Sequence, residues 1–222
     1  MQLYIDTANL NEIQQAADMG VLDGVTTNPS LVAREGNIDY RRHMEKICRL
    51  VSGPVSAEVV ATDTDGMLRE AADLVTIAEN IVIKLPTTED GVRACKTLAD
   101  RGVKTNLTLC FQALQAMIVA KAGAFLVSPF LGRIDDIAGD GVELIQQIRA
   151  IYDNFGFKTK ILSASIRSPK HLVDVAIAGS DVATVPYKVI KQMLNHPLTD
   201  SGLAQFLADH AKSQKAAEKA MA

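Results

Sequence analysis

Short, mostly continuous apolar runs alternate along the chain with longer stretches of helical spacing. The runs cover residues 3–5, 24–27, 55–60, 81–85, 104–109, 124–128, 159–162 and 182–185. Continuous rather than alternating hydrophobicity is the pattern of parallel strands covered on both faces. Between the runs, residues 10–19, 40–51, 65–78, 91–100, 111–122, 141–155 and 169–178 repeat apolar positions at helical spacing. Thr87, Thr88 and Ser168 are N-cap candidates, Asp140 most simply caps the helix after it, and Gly20, Gly102, Gly123 and Gly179 read as helix stops. About eight β-then-α units result, the number that closes a (β/α)8 TIM barrel. An open doubly wound sheet is the alternative, but no G-x-G-x-x-G or Walker sequence follows the first run. The expected fold is therefore α/β, one barrel domain over residues 1–222. Residues 196–222 exceed what the eighth unit needs and form an additional C-terminal helical extension, either a frayed, solvated tract or an oligomer contact.

A length of 222 residues fits one such unit, at roughly 150 residues per domain. With 48% hydrophobic and 22% charged residues, a disordered polymer is excluded. The 23 Lys and Arg nearly balance the 26 Asp and Glu, so the net charge of −3 offers no drive toward nucleic acid or an anionic membrane. Cys48, Cys95 and Cys110 are an odd, dispersed set, which reads as free thiols in a reducing compartment. The first residues are strand-like rather than signal-like, and no apolar run is long enough to span a bilayer. A soluble, cytoplasmic protein is expected.

In a barrel, chemistry belongs to the C-terminal ends of the strands. The polar residues that end the apolar runs are Asp6, Asn28, Glu58, Lys84, Asn106, Thr108, Ser128, Ser163 and Ser165. Taken singly, each has a plain structural explanation: Asp6 as a helix cap, Asn28 before Pro29 as a turn, Thr108 and Ser128 bonded to backbone. Lys84 is the most informative, because it sits in the run Ile81-Val82-Ile83-Lys84-Leu85. Burial disfavours an ammonium relative to the neutral amine, and a neutral amine attacks carbonyl carbons to form Schiff bases. A lysine whose head snorkels out or pairs with an acid is the structural alternative. Glu58 lies in another apolar run and must find a partner, which the neighbouring strand would supply as Lys84. Asp6 would add a second carboxylate, and two carboxylates around one amine suffice for proton traffic during carbon–carbon cleavage. Arg133 and Arg167 follow the sixth and seventh runs closely, where barrel enzymes hold substrate phosphates. Each could instead pair with Asp135 or Asp136. His43, His171, His196 and His210 are scattered, so no metal site is expected.

Several stretches together resemble the transaldolases, in the short bacterial class that also holds the fructose-6-phosphate aldolases. They are Tyr4-Ile5-Asp6-Thr7-Ala8-Asn9, Gly24-Val25-Thr26-Thr27-Asn28-Pro29-Ser30, Ile83-Lys84-Leu85-Pro86, Thr105-Asn106-Leu107-Thr108 and Ser128-Pro129-Phe130-Leu131-Gly132-Arg133. The resemblance implies a barrel with a Schiff-base lysine on its fourth strand, where Lys84 falls. It implies Asp6 as the acid/base for cleavage, and Glu58 with Thr108 as the pair orienting a proton-shuttling water. Asn28, Asn106 and Ser128 would bind the dihydroxyacetone unit, and Arg133, Ser165 and Arg167 the phosphate. No cofactor is implied. The assembly implied is a homo-oligomer, a pentameric ring that can pair into a decamer.

Fructose-6-phosphate aldolases carry glutamine where this chain has Glu58 and tyrosine where it has Phe130. Both positions follow the transaldolase pattern. The resemblance thus implies transfer of dihydroxyacetone between sedoheptulose 7-phosphate and glyceraldehyde 3-phosphate, giving erythrose 4-phosphate and fructose 6-phosphate, a step of the pentose phosphate pathway. The alternatives are an aldolase releasing free dihydroxyacetone, or a barrel that only binds sugar phosphates.

Overall fold

The computed structural model describes residues 1–221. Eight parallel strands close into a barrel in sequence order, β1 to β8. They are β1 (Gln2–Asp6), β2 (Gly24–Thr26), β3 (Val55–Glu58), β4 (Ile81–Pro86), β5 (Thr105–Cys110), β6 (Leu126–Pro129), β7 (Lys160–Ser163) and β8 (Val182–Val185). The helices, in chain order, are α1 (Leu10–Asp18), α2 (Pro29–Arg34), α3 (Tyr40–Leu50), α4 (Thr64–Leu74), α5 (Glu89–Asp100), α6 (Ala113–Lys121), α7 (Leu131–Asp135), α8 (Gly141–Phe155), α9 (Pro169–Ile177), α10 (Tyr187–Leu194) and α11 (Pro197–Met221). The open-sheet alternative is thereby excluded.

The strands read as continuous apolar runs because both faces are covered. One face packs outward against the helices in the main core, around Ile5, Val25, Ile83, Leu107, Val127 and Ile161. The other fills the barrel, where Tyr4, Leu126, Leu162, Ala164 and Val182 form a smaller internal cluster. Local signals fix the helix ends. Thr88 and Ser168 cap α5 and α9 by accepting backbone N–H bonds from Gly91 and His171, and Asp140 accepts from Val142 and Glu143 at α8. Gly20, Gly102, Gly123 and Gly179 all take the positive φ that ends a helix cheaply only without a Cβ.

The sequence reading is corrected in several places. Asp6 is no cap: Asn9 accepts the N–H groups of Asn11 and Glu12 at the start of α1. Strand β3 stops at Glu58, and Val60 beyond it is 70% exposed, so Glu58 ends its strand rather than lying mid-run. Lys84 and Asn106 do not end theirs, yet strand stagger brings them level: Glu58 pairs with Lys84, and Lys84 with Asn106. Helices α2 and α7 were not foreseen; the Asn-Pro sequence read as a turn is the cap and first residue of α2.

The expected extension appears as α11, the last residue of the 196–222 tract lying outside the described residues. Every position from 197 to 219 is exposed except half-buried Gly202. No helix among the described residues is long and apolar enough to cross a membrane.

Candidate active site

Inside a parallel barrel, every second residue of a strand faces the axis. At the C-terminal mouth those positions are polar, and they line a cavity of about 770 Å³ whose wall includes Asp6, Asn28, Glu58, Lys84, Thr108 and Phe130. Arg34, Arg133 and Lys188 bring three more cations to the same wall. A smaller recess of about 150 Å³ shares Asp6, Lys84 and Arg133 and adds Ser128, Ser165 and Thr184. A separate cavity of about 660 Å³ lies on the far side of residues 27–29, walled by side chains such as Val32, Tyr40 and Leu74. It shares Glu58 but has neither Lys84 nor Asp6 on its wall, so chemistry belongs to the first cavity.

Lys84 is 4% exposed. Its ammonium Nζ lies 2.9 Å from Glu58 Oε2 and donates a hydrogen bond to the carbonyl oxygen of Thr27 at 2.8 Å. The Glu58 contact is an ion pair of charges rather than an aligned hydrogen bond, and Oε2 keeps no hydrogen-bond donor. Thr108 Oγ1 is likewise buried without a partner. Buried polar atoms are nearly always bonded, so these two on one wall fit a polar occupant. The other lysines near the barrel axis sit at its opposite end, where Lys104 and Lys160 stack on Phe125 at 5.2 and 5.7 Å from its ring centre.

Asp6 receives a hydrogen bond on Oδ1 from the Thr26 hydroxyl at 2.8 Å. Burial pushes its carboxyl above the ordinary carboxylate range; the charge of Lys84, the Thr26 bond and the charge of Arg34 pull it partly back. Asn28 caps α2 through Oδ1, which accepts the N–H of Leu31 at 2.9 Å, and so keeps its Nδ2 for the cavity. Phe130 is fixed by backbone on both sides, its N–H donating to Cys110 at 3.1 Å and its backbone bridged to Ala164. Its ring meets Phe111 edge-on at 6.0 Å, and the Arg133 guanidinium lies 5.3 Å over its centre. That cation–π contact holds Arg133 at the cavity.

Two expected site residues stand off the wall. Asn106 is fully buried behind Ser128, accepting from the Ser128 hydroxyl at 2.7 Å and donating to Ser56 Oγ at 3.1 Å. It positions Ser128 in this structure. Arg167 pairs through its two terminal guanidinium nitrogens with the Asp136 carboxylate and lines neither the cavity nor the recess, the structural alternative weighed from the sequence. Asp135 takes His171 instead, at 3.2 Å. Ser165 remains on the recess with φ +61, a left-handed conformation that costs a non-glycine residue about 1–2 kcal/mol. Leu109, where β5 slips register against β6, has φ +59. Strain thus sits at two strand ends around the mouth. Gly132 permits the tight seating of this corner, since a Cβ there would come within 2.2 Å of the Ser165 carbonyl oxygen.

Sequence reasoning missed Thr26, Thr184, Ser56, Arg34 and Lys188. Of these only Ser56 was signalled by phase, two residues before Glu58 on the same strand face; Thr26 is placed by its register with Asp6, which the structure supplies.

A model of the Transaldolase/Fructose-6-phosphate aldolase family matches residues 3–222. The chain belongs to that family. A protein of Bartonella bacilliformis named a probable transaldolase is 56% identical over 213 residues, 96% of this chain and 98% of the relative. One of Maridesulfovibrio salexigens, also named a probable transaldolase, is 56% identical over 215 residues, 97% of this chain and all of the relative. A third such relative, from Prosthecochloris aestuarii, is 50% identical, across 97% of this chain and 100% of its own. Family membership thus spans the barrel and all of its mouth residues, not one motif.

Proposed function

We propose that the protein is a transaldolase, moving a dihydroxyacetone unit from a ketose phosphate to an aldose phosphate through a Schiff base on Lys84. The observation that carries this is the Lys84 amine, buried on the wall of the mouth cavity with Glu58 Oε2 at 2.9 Å. The relatives named probable transaldolases support the same reading.

In this mechanism Glu58 takes the ammonium proton, and the free amine attacks the C2 carbonyl of the donor. Proton transfer to the carbinolamine oxygen, through a water held by Glu58 and Thr108, expels water and leaves an iminium. The Asp6 carboxylate then takes the proton of the C4 hydroxyl. The C3–C4 bond breaks, its electrons pass to the iminium nitrogen, and the aldose phosphate leaves. The enamine on Lys84 adds to the carbonyl of a second aldose phosphate by the reverse steps. Sedoheptulose 7-phosphate and glyceraldehyde 3-phosphate would thereby give erythrose 4-phosphate and fructose 6-phosphate. Asn28 and Ser128 hold the three-carbon unit, Ser128 in turn held by Asn106. Arg133 and Ser165 bind phosphate, and Arg167 joins them on leaving Asp136.

We read residues 1–222 as one cytoplasmic barrel unit that works as a homo-oligomer. Leu198, Leu203, Phe206 and Leu207 of α11 are 74, 58, 74 and 64% exposed, an apolar stripe that suits burial by another copy.

Borohydride reduction in the presence of fructose 6-phosphate tests the chemistry. The expected result is a three-carbon adduct on Lys84, and faster turnover of fructose 6-phosphate when erythrose 4-phosphate is supplied. Labelling elsewhere removes the Schiff-base mechanism. Equal rates with and without the acceptor replace transferase by aldolase.

A further inference from the structure

Asp6 carries the proton at C4 in the reaction above, and only one protein group hydrogen-bonds its carboxylate among the described residues: the Thr26 hydroxyl, on Oδ1. Behind Thr26 stands Thr184 of β8, with the two Oγ1 atoms 2.6 Å apart. Both threonines are 2% exposed, and they stand on the strands either side of β1, Thr26 on β2 and Thr184 on β8. A threonine hydroxyl has one proton to give. That of Thr26 goes to Asp6, so the short contact requires Thr184 to donate to Thr26.

We propose that Thr184 is a positioning residue for carbon–carbon cleavage: it fixes the Thr26 hydroxyl as donor to Asp6 Oδ1, so that Oδ2 is presented for the C4 proton. The inference rests on the transaldolase reading and extends it to β8. Hydrogen bonds in series polarise one another, so the pair acts on Oδ1 as one strengthened donor. The charged groups around Asp6 cannot make this choice between its oxygens. Lys84 of β4, Glu58 of β3, Arg34 of α2, Arg133 of α7, Glu12 of α1 and Lys188 of α10 share the cavity wall, and none of them hydrogen-bonds its carboxylate. Packing alone does not call for a hydroxyl at this place, since valine fills a β-strand equally well and stands at positions 182 and 185 of the same strand.

The test compares Thr184→Val and Thr184→Ser with the unmodified full-length protein. It reads borohydride labelling of Lys84 with fructose 6-phosphate, and the pH dependence of cleavage. Thr184→Val should label Lys84 as fully as the parent yet cleave about fivefold more slowly, the loss expected for one hydrogen bond acting at a distance. Its acidic limb should move to higher pH, because a carboxylate with weaker donors binds its proton more tightly. Thr184→Ser should restore both rate and limb. Should the valine variant not fold, Thr184→Ala carries the same expectations. A hydroxyl-free variant with the parent's limb and rate, or a serine variant that behaves like the valine one, overturns the inference alone. A parent protein that takes no label on Lys84 overturns the Schiff-base reading, and this inference with it.

Discussion

Glu58 Oε2 lies 2.9 Å from Lys84 Nζ, and the two residues are direct register partners on β3 and β4. Adjacent strands therefore hold two opposite charges at one level of the barrel, both largely out of water. Such pairs gain little net stability, because desolvation of both ions offsets their attraction, whereas removing one partner strands the other.

The first prediction follows from that asymmetry. Lys84→Met should destabilise the protein by about 3 kcal/mol, the lower end for a broken buried pair, since Glu58 keeps some access to water. Adding Glu58→Gln should recover most of that loss. Calorimetry on the parent, the single and the double variant reads this directly, and neither variant should form a Schiff base. A double variant no more stable than Lys84→Met would show that the loss comes from packing instead of the stranded carboxylate.

Asp6 gives a second stability prediction with a defined sign. Its carboxyl is raised above the unfolded value of 3.8, chiefly by burial, so folding disfavours its ionised form. The destabilisation is fully present above the raised folded value and absent below the unfolded one. Asp6→Asn keeps an acceptor for Thr26 and removes the charge. It should melt higher than the parent near neutral pH, the gap closing as pH falls through the folded value. The same variant should still be labelled on Lys84 while losing cleavage. A parent and variant with identical melting at every pH would mean that Asp6 ionises as freely in the barrel as in the unfolded chain.

The eight strands and the place of Lys84 on the fourth were legible because a doubly covered parallel strand must be apolar, which makes a charged residue within it conspicuous. Glu58 was legible as its partner for the same reason. Short helices were not: α7 has five residues and α2 six, too few for a helical period to emerge. Arg167 illustrates the other limit. Its choice between phosphate and Asp136 is made by a contact across 31 residues, between two exposed groups, and composition carries no trace of it. Thr184 was hidden by chemistry, since a threonine in a strand is ordinary until a second hydroxyl is found behind it.

The Asp136–Arg167 pair yields the third prediction. Hydrogen bonds from Arg167 hold the Asp136 carboxyl below its usual range, and an exposed pair of this kind is weak enough to be exchanged. Asp136→Asn should release Arg167 toward the recess and lower KM for fructose 6-phosphate several-fold, with fructose unaffected. Arg133→Ala should act oppositely, weakening the phosphorylated substrate by roughly tenfold or more. Steady-state kinetics with both sugars separates these outcomes from a general loss of activity. Equal effects on the two sugars would take phosphate binding away from this corner.

Helix α11 gives the fourth. It carries its apolar stripe in the open, beyond a barrel already closed by β8 and covered by α10. A chain ending at His196 should retain the barrel's circular dichroism but sediment as a smaller species than the intact protein. An intact protein that sediments as a monomer would dispose of the assembly and leave α11 to find cover on its own barrel.

The fifth concerns what drains the enamine. Release of free dihydroxyacetone requires water to protonate the enamine carbon and then hydrolyse the imine, and both steps need water held near Lys84. Phe130 places a ring without a hydroxyl on that wall, locked by its bridge to Ala164 and by the Arg133 cation over its face. A tyrosine ring would keep those contacts and add one donor and acceptor at the cavity. Phe130→Tyr should therefore raise acceptor-free cleavage of fructose 6-phosphate and lower transfer to erythrose 4-phosphate. A tenfold change in that ratio corresponds to about 1.4 kcal/mol, which one well-placed hydroxyl supplies. The ratio is read by assaying free dihydroxyacetone against sedoheptulose 7-phosphate in one mixture. If the unmodified protein already releases dihydroxyacetone as fast as it transfers it, Phe130 does not govern the fate of the enamine.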